Sequence, residues 1–484
     1  MLGAGDEAAD FGVADVEPSE TEGGVEFVRV ADGLHARVVF GDAAAEQKVG
    51  FSAVSASGGD GSGHGWRQRE RIQPVNGGGA KGNAGGRLAV ARLRCGHGCD
   101  HGCRMKPMAV LIACDKFKGT LTAGEACAAL RDGLLSCWPG LDVRICPIAD
   151  GGEGTADVLR ESGGGEWRVA SVRGPLGPPV PARWVWFPLQ CRAALEMSEA
   201  SGLKLVAEED RDPWQAGTRG TGELMLAAMR SGAEHLTVGI GGSATNDGGA
   251  GMAAALGYRF LDADGREIDP VPAGLGRLEA IVSPDRSGWP EVTAACDVTN
   301  PLLGADGATR VYGAQKGVRP DQVAAFEAGL ERLADVAARD LGRDCRALPG
   351  AGAAGGLGFG LMTFCGAVMK PGFDLVAEAN GLAAAVAAAD VVFTGEGCLD
   401  RQTLHGKGPM GVAALARAQG KPVIAVGGIV EQAAMPALTG AFDAVVAAAG
   451  PTTLEAALRD PAGVLRRVVP THRAAFARML GLDD

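Results

Sequence analysis

A chain of 484 residues with 46% hydrophobic content is long enough for about three domains on a prior of roughly 150 residues each, with room for a large core. Its formal net charge of -12 disfavours a general nucleic-acid or acidic-membrane surface, while a local basic pocket for a small anion stays compatible with it. No run of about 18 to 20 apolar residues and no export-signal start appears, so a cytoplasmic protein is expected, and the 12 cysteines, mostly isolated in apolar contexts such as Cys127, Cys191 and Cys365, suit reduced thiols.

Residues 1–107 are rich in Gly, Ala and polar residues and lack sustained periodicity, a composition that does not readily bury a core. Cys95-Gly-His-Gly-Cys-Asp-His-Gly-Cys103 has metal-ligand residue types, but it is crowded on glycine with nothing nearby to orient the ligands. The expectation is a disordered or mistakenly translated leader ahead of a natural start at Met105 or Met108.

From Met108 onward, short β-branched runs alternate with helical patterns, the rhythm of a mainly parallel sheet covered by helices. Val110–Ala113 reads as the first strand. Thr122 with Glu125 makes a capping box that opens a helix toward Trp138, with Ala126, Leu130 and Leu134 on one face. Val143–Cys146 follows as a strand. Val180–Phe187 and Arg192–Met197 read as paired strands, and a long amphipathic helix spans Val323–Leu341. The rhythm returns with strand Val391–Thr394, helix Met410–Ala418 and strands Val423–Val426 and Ala444–Ala447.

The expected fold is therefore α/β. A Rossmann-like, doubly wound, mainly parallel sheet is built from residues 108–173 plus 386–484, and a second α/β domain, 174–385, is inserted into it. An inserted domain joined by two crossings makes a cleft, and α/β proteins bind ligands in clefts at strand ends.

The charged and glycine-rich motifs fall at those strand ends. After the strand ending at Gly239 comes Gly239-Ile-Gly-Gly-Ser-Ala-Thr-Asn-Asp-Gly-Gly-Ala-Gly-Met252. Its glycines let backbone N–H groups approach an anion, while Ser243, Thr245, Asn246 and Asp247 supply hydroxyl, amide and carboxylate groups. Asp115-Lys-Phe-Lys-Gly-Thr-Leu-Thr122 and Thr394-Gly-Glu-Gly-Cys-Leu-Asp-Arg401 also follow strands. Ala149-Asp-Gly-Gly-Glu-Gly-Thr155 enters a helix, which puts Asp150 and Glu153 near positive backbone dipoles as candidate Mg²⁺ ligands, or Asp150 as a plain cap.

Arg219 opens a helix beside backbone donors, a setting for a carboxylate or phosphate or for a solvated arginine. Asp297 and Asn300 offer hard oxygen ligands or an Asx turn, and Lys316 sits on a glycine-flanked turn. Gly350–Leu361 reads as a close-packing loop. His405 and Cys398 earn no catalytic assignment, since neither has a partner set in the sequence. No Walker A sequence occurs, so a nucleotide site would be of another kind, and no G-x-G-x-x-G element follows the first strand, which disfavours a nicotinamide enzyme.

Taken together, the motifs at Asp115, Ala149, Gly239, Cys296 and Thr394 resemble the bacterial glycerate kinase family, from about Met108 to the C-terminus. The resemblance implies a two-domain enzyme that transfers the γ-phosphoryl group of ATP, with Mg²⁺, to D-glycerate, 2-phosphoglycerate being the favoured product. It implies no nucleic-acid or membrane partner and leaves room for a homodimer. The expected roles are catalysis for Asp115, Lys118, Asp247 and Asp297, with Asp115 or Asp297 taking the hydroxyl proton. Gly241, Gly242, Ser243, Thr245, Asn246, Lys316, Glu396 and Lys407 are expected at the nucleotide, Arg219, Asn300 and Asp400 at the substrate, and Asp150 and Glu153 at the metal. Where the family often carries Arg after Thr-Gly-Glu-Gly, this chain has Cys398, which shifts any phosphate contact of that Arg elsewhere, with Arg401 the nearest candidate. A two-lobed sugar-acid binding protein and a sugar-acid dehydrogenase are the competing readings.

Overall fold

In a computed structural model, the described residues are 107–404, 408–449 and 454–482, together with the backbone of five short strands before them. The chain divides into two units, Met1–Arg104 and Met105–Asp484. In the first, Phe11–Asp15 pairs antiparallel with Arg87–Ala91, and Val25–Val30, Leu34–Val39 and Gly50–Val54 form an antiparallel meander. The expected leader otherwise lies outside the described residues.

The second unit begins with β1 (Ala109–Cys114), α1 (Ala123–Cys137), β2 (Asp142–Ile145) and α2 (Thr155–Gly163). The Thr122 capping box is present: its Oγ accepts from Glu125 N at 3.2 Å, and Glu125 Oε2 accepts from Thr122 N at 2.9 Å. A cap of this kind stabilises a helix by about 1 kcal/mol.

The chain then builds a six-stranded sheet from β3 (Glu166–Arg173), β4 (Pro179–Phe187), β5 (Arg192–Glu196), β6 (His235–Gly239), β7 (Glu291–Ala295) and β8 (Val368–Lys370). Strands β5 to β8 are parallel, whereas β3 and β4 are added antiparallel. The expected crossing at 173/174 thus falls inside the β3–β4 hairpin, because Glu166–Arg173 pairs with Pro179–Phe187 along its whole length. Helices α3 (Arg219–Arg230), α4 (Ala250–Ala255) and α5 (Val323–Leu341) supply apolar residues to one core with this sheet, including Leu224, Met252 and Leu333.

After α6 (Ala353–Gly360) and α7 (Gly372–Ala379), the chain returns to the first sheet with β9 (Val391–Leu399), α8 (Gly408–Ala418), β10 (Val423–Val430), β11 (Ala444–Ala447), α9 (Pro461–Thr471) and α10 (Arg473–Leu480). This sheet is all parallel, in the order β11-β10-β9-β1-β2. The unbroken apolar run of β1 follows from cover on both faces. Val110 and Ile112 join a core with Leu130, Val468 and Phe476, and Leu111 and Ala113 join another with Val412 and Leu438. Each fully buried aliphatic side chain contributes about 1.5–3 kcal/mol. Among the described residues, no helix is long and apolar enough to cross a membrane.

Candidate active site

Both sheets direct the carboxyl ends of parallel strands at one region, where open α/β sheets bind ligands. β1 runs into Asp115, β9 carries Glu396, β6 runs into Gly241 and β7 into Asp297. The Asp150 loop from the first sheet packs backbone to backbone on the second. Gly151 has φ +80°, and a Cβ there would stand 2.9 Å from Gly372 Cα, so this approach needs glycine.

Two cavities lie at these strand ends, the first walled by the first sheet alone and the second by both. An apolar one of about 370 Å³ is lined by Lys116, Phe117, Lys118, Glu396, Cys398, Asp400, Ile429, Leu458 and Val464. A glycine-walled one of about 320 Å³ is lined by Asp150, Gly241, Gly242, Ser243, Asp297, Tyr312 and Lys316. Lys116 Nζ lies 3.1 Å from Asp150 Oδ1 and so joins the two walls.

The electrostatics of this junction are strongly perturbed. Asp115 is 5% exposed, and burial pushes its carboxyl up to about 7 against the pull of Lys116. Asp297 is raised to about 6, by burial and by the nearby Asp150 charge, although Gly372 N donates to its Oδ1 at 2.7 Å. Asp150 is also desolvated, but Lys116 and Gly152 N more than offset this and hold it below the usual carboxylate range. Lys316, 2% exposed, donates from Nζ to Ser243 Oγ at 2.6 Å and to Thr245 O at 2.7 Å. Its burial drops the ammonium to about 7. Perturbed groups gathered at one place mark a candidate functional site.

Lys118, Glu396 and Asp400 therefore gather at the apolar cavity, Asp150, Gly241, Gly242, Ser243, Lys316 and Asp297 gather at the glycine cavity, and Asp115 lines neither but lies 3.7 Å from Lys116 Nζ. The others take different places. Asp247 is 0% exposed: its Oδ2 accepts from Thr218 N, Thr218 Oγ1 and Gly251 N, and its Oδ1 from Gly249 N. It ties the starts of α3 and α4 together beneath the cavity, and the catalytic expectation for it is corrected accordingly. Thr245 and Asn246 are buried in the same loop, where Asn246 Nδ2 donates to Thr309 Oγ1 at 2.9 Å.

Glu153, expected beside Asp150 at the metal, has a lysine partner. Gly154 is the N-cap of α2, and Glu153 faces Lys204 Nζ at 2.9 Å. Arg219 pairs along its own helix with Glu223. Asn300 accepts from Tyr312 Oη at 2.7 Å and donates to Asp306 O, one layer behind the wall. Arg401 is exposed on the turn Arg401–Leu404. Lys407 and His405 lie outside the described residues.

Sequence reasoning missed Lys116 and Glu196. Glu196 is buried at the end of β5, accepts from Ala156 N at 2.8 Å, and is raised to about 7 by that burial. A charged residue closing the apolar run Ala193-Ala-Leu195 is the signal that marks it. Among the described residues, no group of three or more His, Cys, Asp or Glu side chains is placed to hold a metal ion.

The sequence profile of the Glycerate kinase family matches residues 110–476. The chain is 46% identical over 331 residues to a glycerate kinase of Bacillus subtilis (strain 168), covering 67% of this chain and 86% of that protein. It is 43% identical over 327 residues to a glycerate 2-kinase of Escherichia coli (strain K12), covering 66% and 85%. A crystal structure of a protein provisionally assigned as glycerate kinase 2 from Salmonella typhimurium LT2 superposes with a TM-score of 0.67 at 41% identity, covering 78% of this chain and 100% of that one.

Proposed function

Because this chain belongs to the glycerate kinase family, we propose that it transfers the γ-phosphoryl group of ATP to the C2 hydroxyl of D-glycerate, giving 2-phosphoglycerate and ADP. The observation that carries the reading is the pairing, in one cavity, of a carboxyl raised to about 6 with an ammonium lowered to about 7, Asp297 and Lys316. A small hydroxy acid needs both: a cation and N–H donors for its carboxylate, and a base for its hydroxyl proton.

Phe117, Ile429, Leu458 and Val464 suit the flat faces of adenine, with Lys118 beside the phosphates. The glycerate carboxylate binds Lys316, Ser243 and the Gly241–Gly242 backbone. The acceptor oxygen bonds to the γ-phosphorus as the bond from that phosphorus to the β,γ-bridging oxygen breaks, and the hydroxyl proton passes to Asp297. Such a transfer asks the protein chiefly for positioning and charge neutralisation. Mg²⁺ enzymes of this type use one or two carboxylates plus substrate phosphates. Asp150, kept ionised at the seam, fits that demand, and a Mg²⁺ bound there supplies charge neutralisation on the nucleotide. The C2 assignment is supported by the relative named glycerate 2-kinase.

Proton-coupled phosphorus NMR of a reaction with ATP and D-glycerate tests this. One proton on C2 splits the product signal into a doublet. A triplet would move the phosphate to C3, and no new phosphate ester would defeat the reading.

A further inference from the structure

Lys116 follows Asp115 in the turn after β1, and its side chain is 14% exposed. Its Nζ lies 3.1 Å from Asp150 Oδ1 and 3.7 Å from Asp115 Oδ1. Glu196 acts on it through space, and Glu396 acts on Asp115. Burial opposes the ammonium, but the surrounding carboxylates outweigh it and raise its pKa above the ordinary lysine value.

The three cations among the described residues lining the two cavities are Lys116, Lys118 and Lys316. Lys118 borders the apolar cavity alone, and Lys316 is tied down inside the glycine cavity by Ser243 and Thr245. Lys116 stands between them, lining one cavity and bonded to a wall residue of the other. A phosphoryl group moving from a nucleotide in the first cavity to an acceptor in the second passes this seam. Without the ammonium, it would pass into a cluster of carboxylates.

We propose that Lys116 is a catalytic residue of the phosphoryl transfer, its ammonium leaving Asp150 to hold the equatorial oxygens of the γ-phosphoryl group as they cross the seam. The proposal rests on the kinase reading above and adds to it the group that neutralises the transferring charge. That charge is spread over three equatorial oxygens in the transition state, and a preorganised cation in a crevice poor in water acts on it more strongly than one in bulk solvent. The bond made is from the acceptor oxygen to phosphorus, and the bond broken is from phosphorus to the β,γ-bridging oxygen. The hydroxyl proton goes to Asp297. Lys116 keeps its own proton throughout and exchanges one charge-assisted hydrogen bond for another.

The test uses the full chain with ATP and D-glycerate. Lys116→Ala is expected to lower kcat by roughly 100- to 1000-fold, with KM for D-glycerate within about threefold of wild type. n-Propylamine, the fragment that this substitution deletes, is expected to restore at least about tenfold of the lost rate, whereas Lys116→Met, which fills the space, gains nothing from it. A loss confined to KM, a kcat within about threefold of wild type, or no response to the amine would overturn the assignment. Lys116→Arg keeps the charge, and so the fold, should the alanine variant fail to fold. Its kcat is expected between those of wild type and Lys116→Met, and an arginine variant no faster than the methionine one counts against the proposal. Wild-type protein without ATP-dependent turnover would defeat the kinase reading itself; a normal wild type beside an equally fast Lys116→Ala would defeat only this inference.

Discussion

The loops after β6 and β7 each follow a parallel strand of the same sheet, and each carries an aspartate flanked by small residues, Asp247 and Asp297. They have opposite fates. Asp247 is saturated by four donors and sealed beneath the cavity. Asp297 lines the cavity with a carboxyl raised to about 6. Burial raises Asp247 as well, but the Thr218, Gly249 and Gly251 hydrogen bonds pull against it and leave nothing for a substrate to use. The richer motif is therefore scaffold at its aspartate and lines the cavity only at Gly241–Ser243, while the plainer loop carries the proposed base. Glycine density marks where backbone comes close; it does not say which neighbouring side chain reaches the ligand.

Four substitutions separate the two loops, taken from the largest effect down. Asp297→Asn removes the proton acceptor and is expected to lower kcat about 10²- to 10⁴-fold, with an unchanged urea midpoint. Asp247→Asn turns an amide donor toward a ring of donors and is expected to cost about 2–3 kcal/mol of stability in urea unfolding, with kcat per folded molecule near normal. Should Asp247→Asn abolish turnover without loss of stability, the two roles would have to be exchanged. Lys316→Met removes the proposed charged contact to the substrate carboxylate and is expected to raise KM for D-glycerate roughly 10- to 100-fold, measured by initial rates. The smallest effect belongs to Ala354, a glycine-cavity residue held at φ 54° and ψ 38°. Ala354→Gly relieves that left-handed strain and is expected to raise stability by at most about 1 kcal/mol, read from the melting temperature.

Much of the framework was legible because it is local. The capping box at Thr122, the apolar run of β1 and the 3.6-residue pattern of Val323–Leu341 need only neighbouring residues, and each appears as an element in the fold. The family was legible too, since its motifs stand in order along the chain, and the match over residues 110–476 agrees. What stayed hidden depends on distant partners. Thr218, which satisfies Asp247, is 29 positions away, and Lys204, which claims Glu153, is 51 positions away. Lys116 and Lys118 lie in one motif, but a turn sequence does not reveal which of them reaches Asp150. The β3 strand reads as an end of the first domain until its pairing with β4 is known.

The pH dependence of kcat/KM for D-glycerate in the wild-type protein tests the central assignment most directly, because it reports groups of the free enzyme. Asp297 must be ionised to accept a proton, so activity should fall as pH drops through about 6. Lys316 must be protonated to hold the carboxylate, so activity should also fall as pH rises through about 7. The account expects a narrow bell that loses its acid limb in Asp297→Asn and its alkaline limb in Lys316→Met. A wild-type profile that stays flat from about pH 5 to about pH 8 would contradict it.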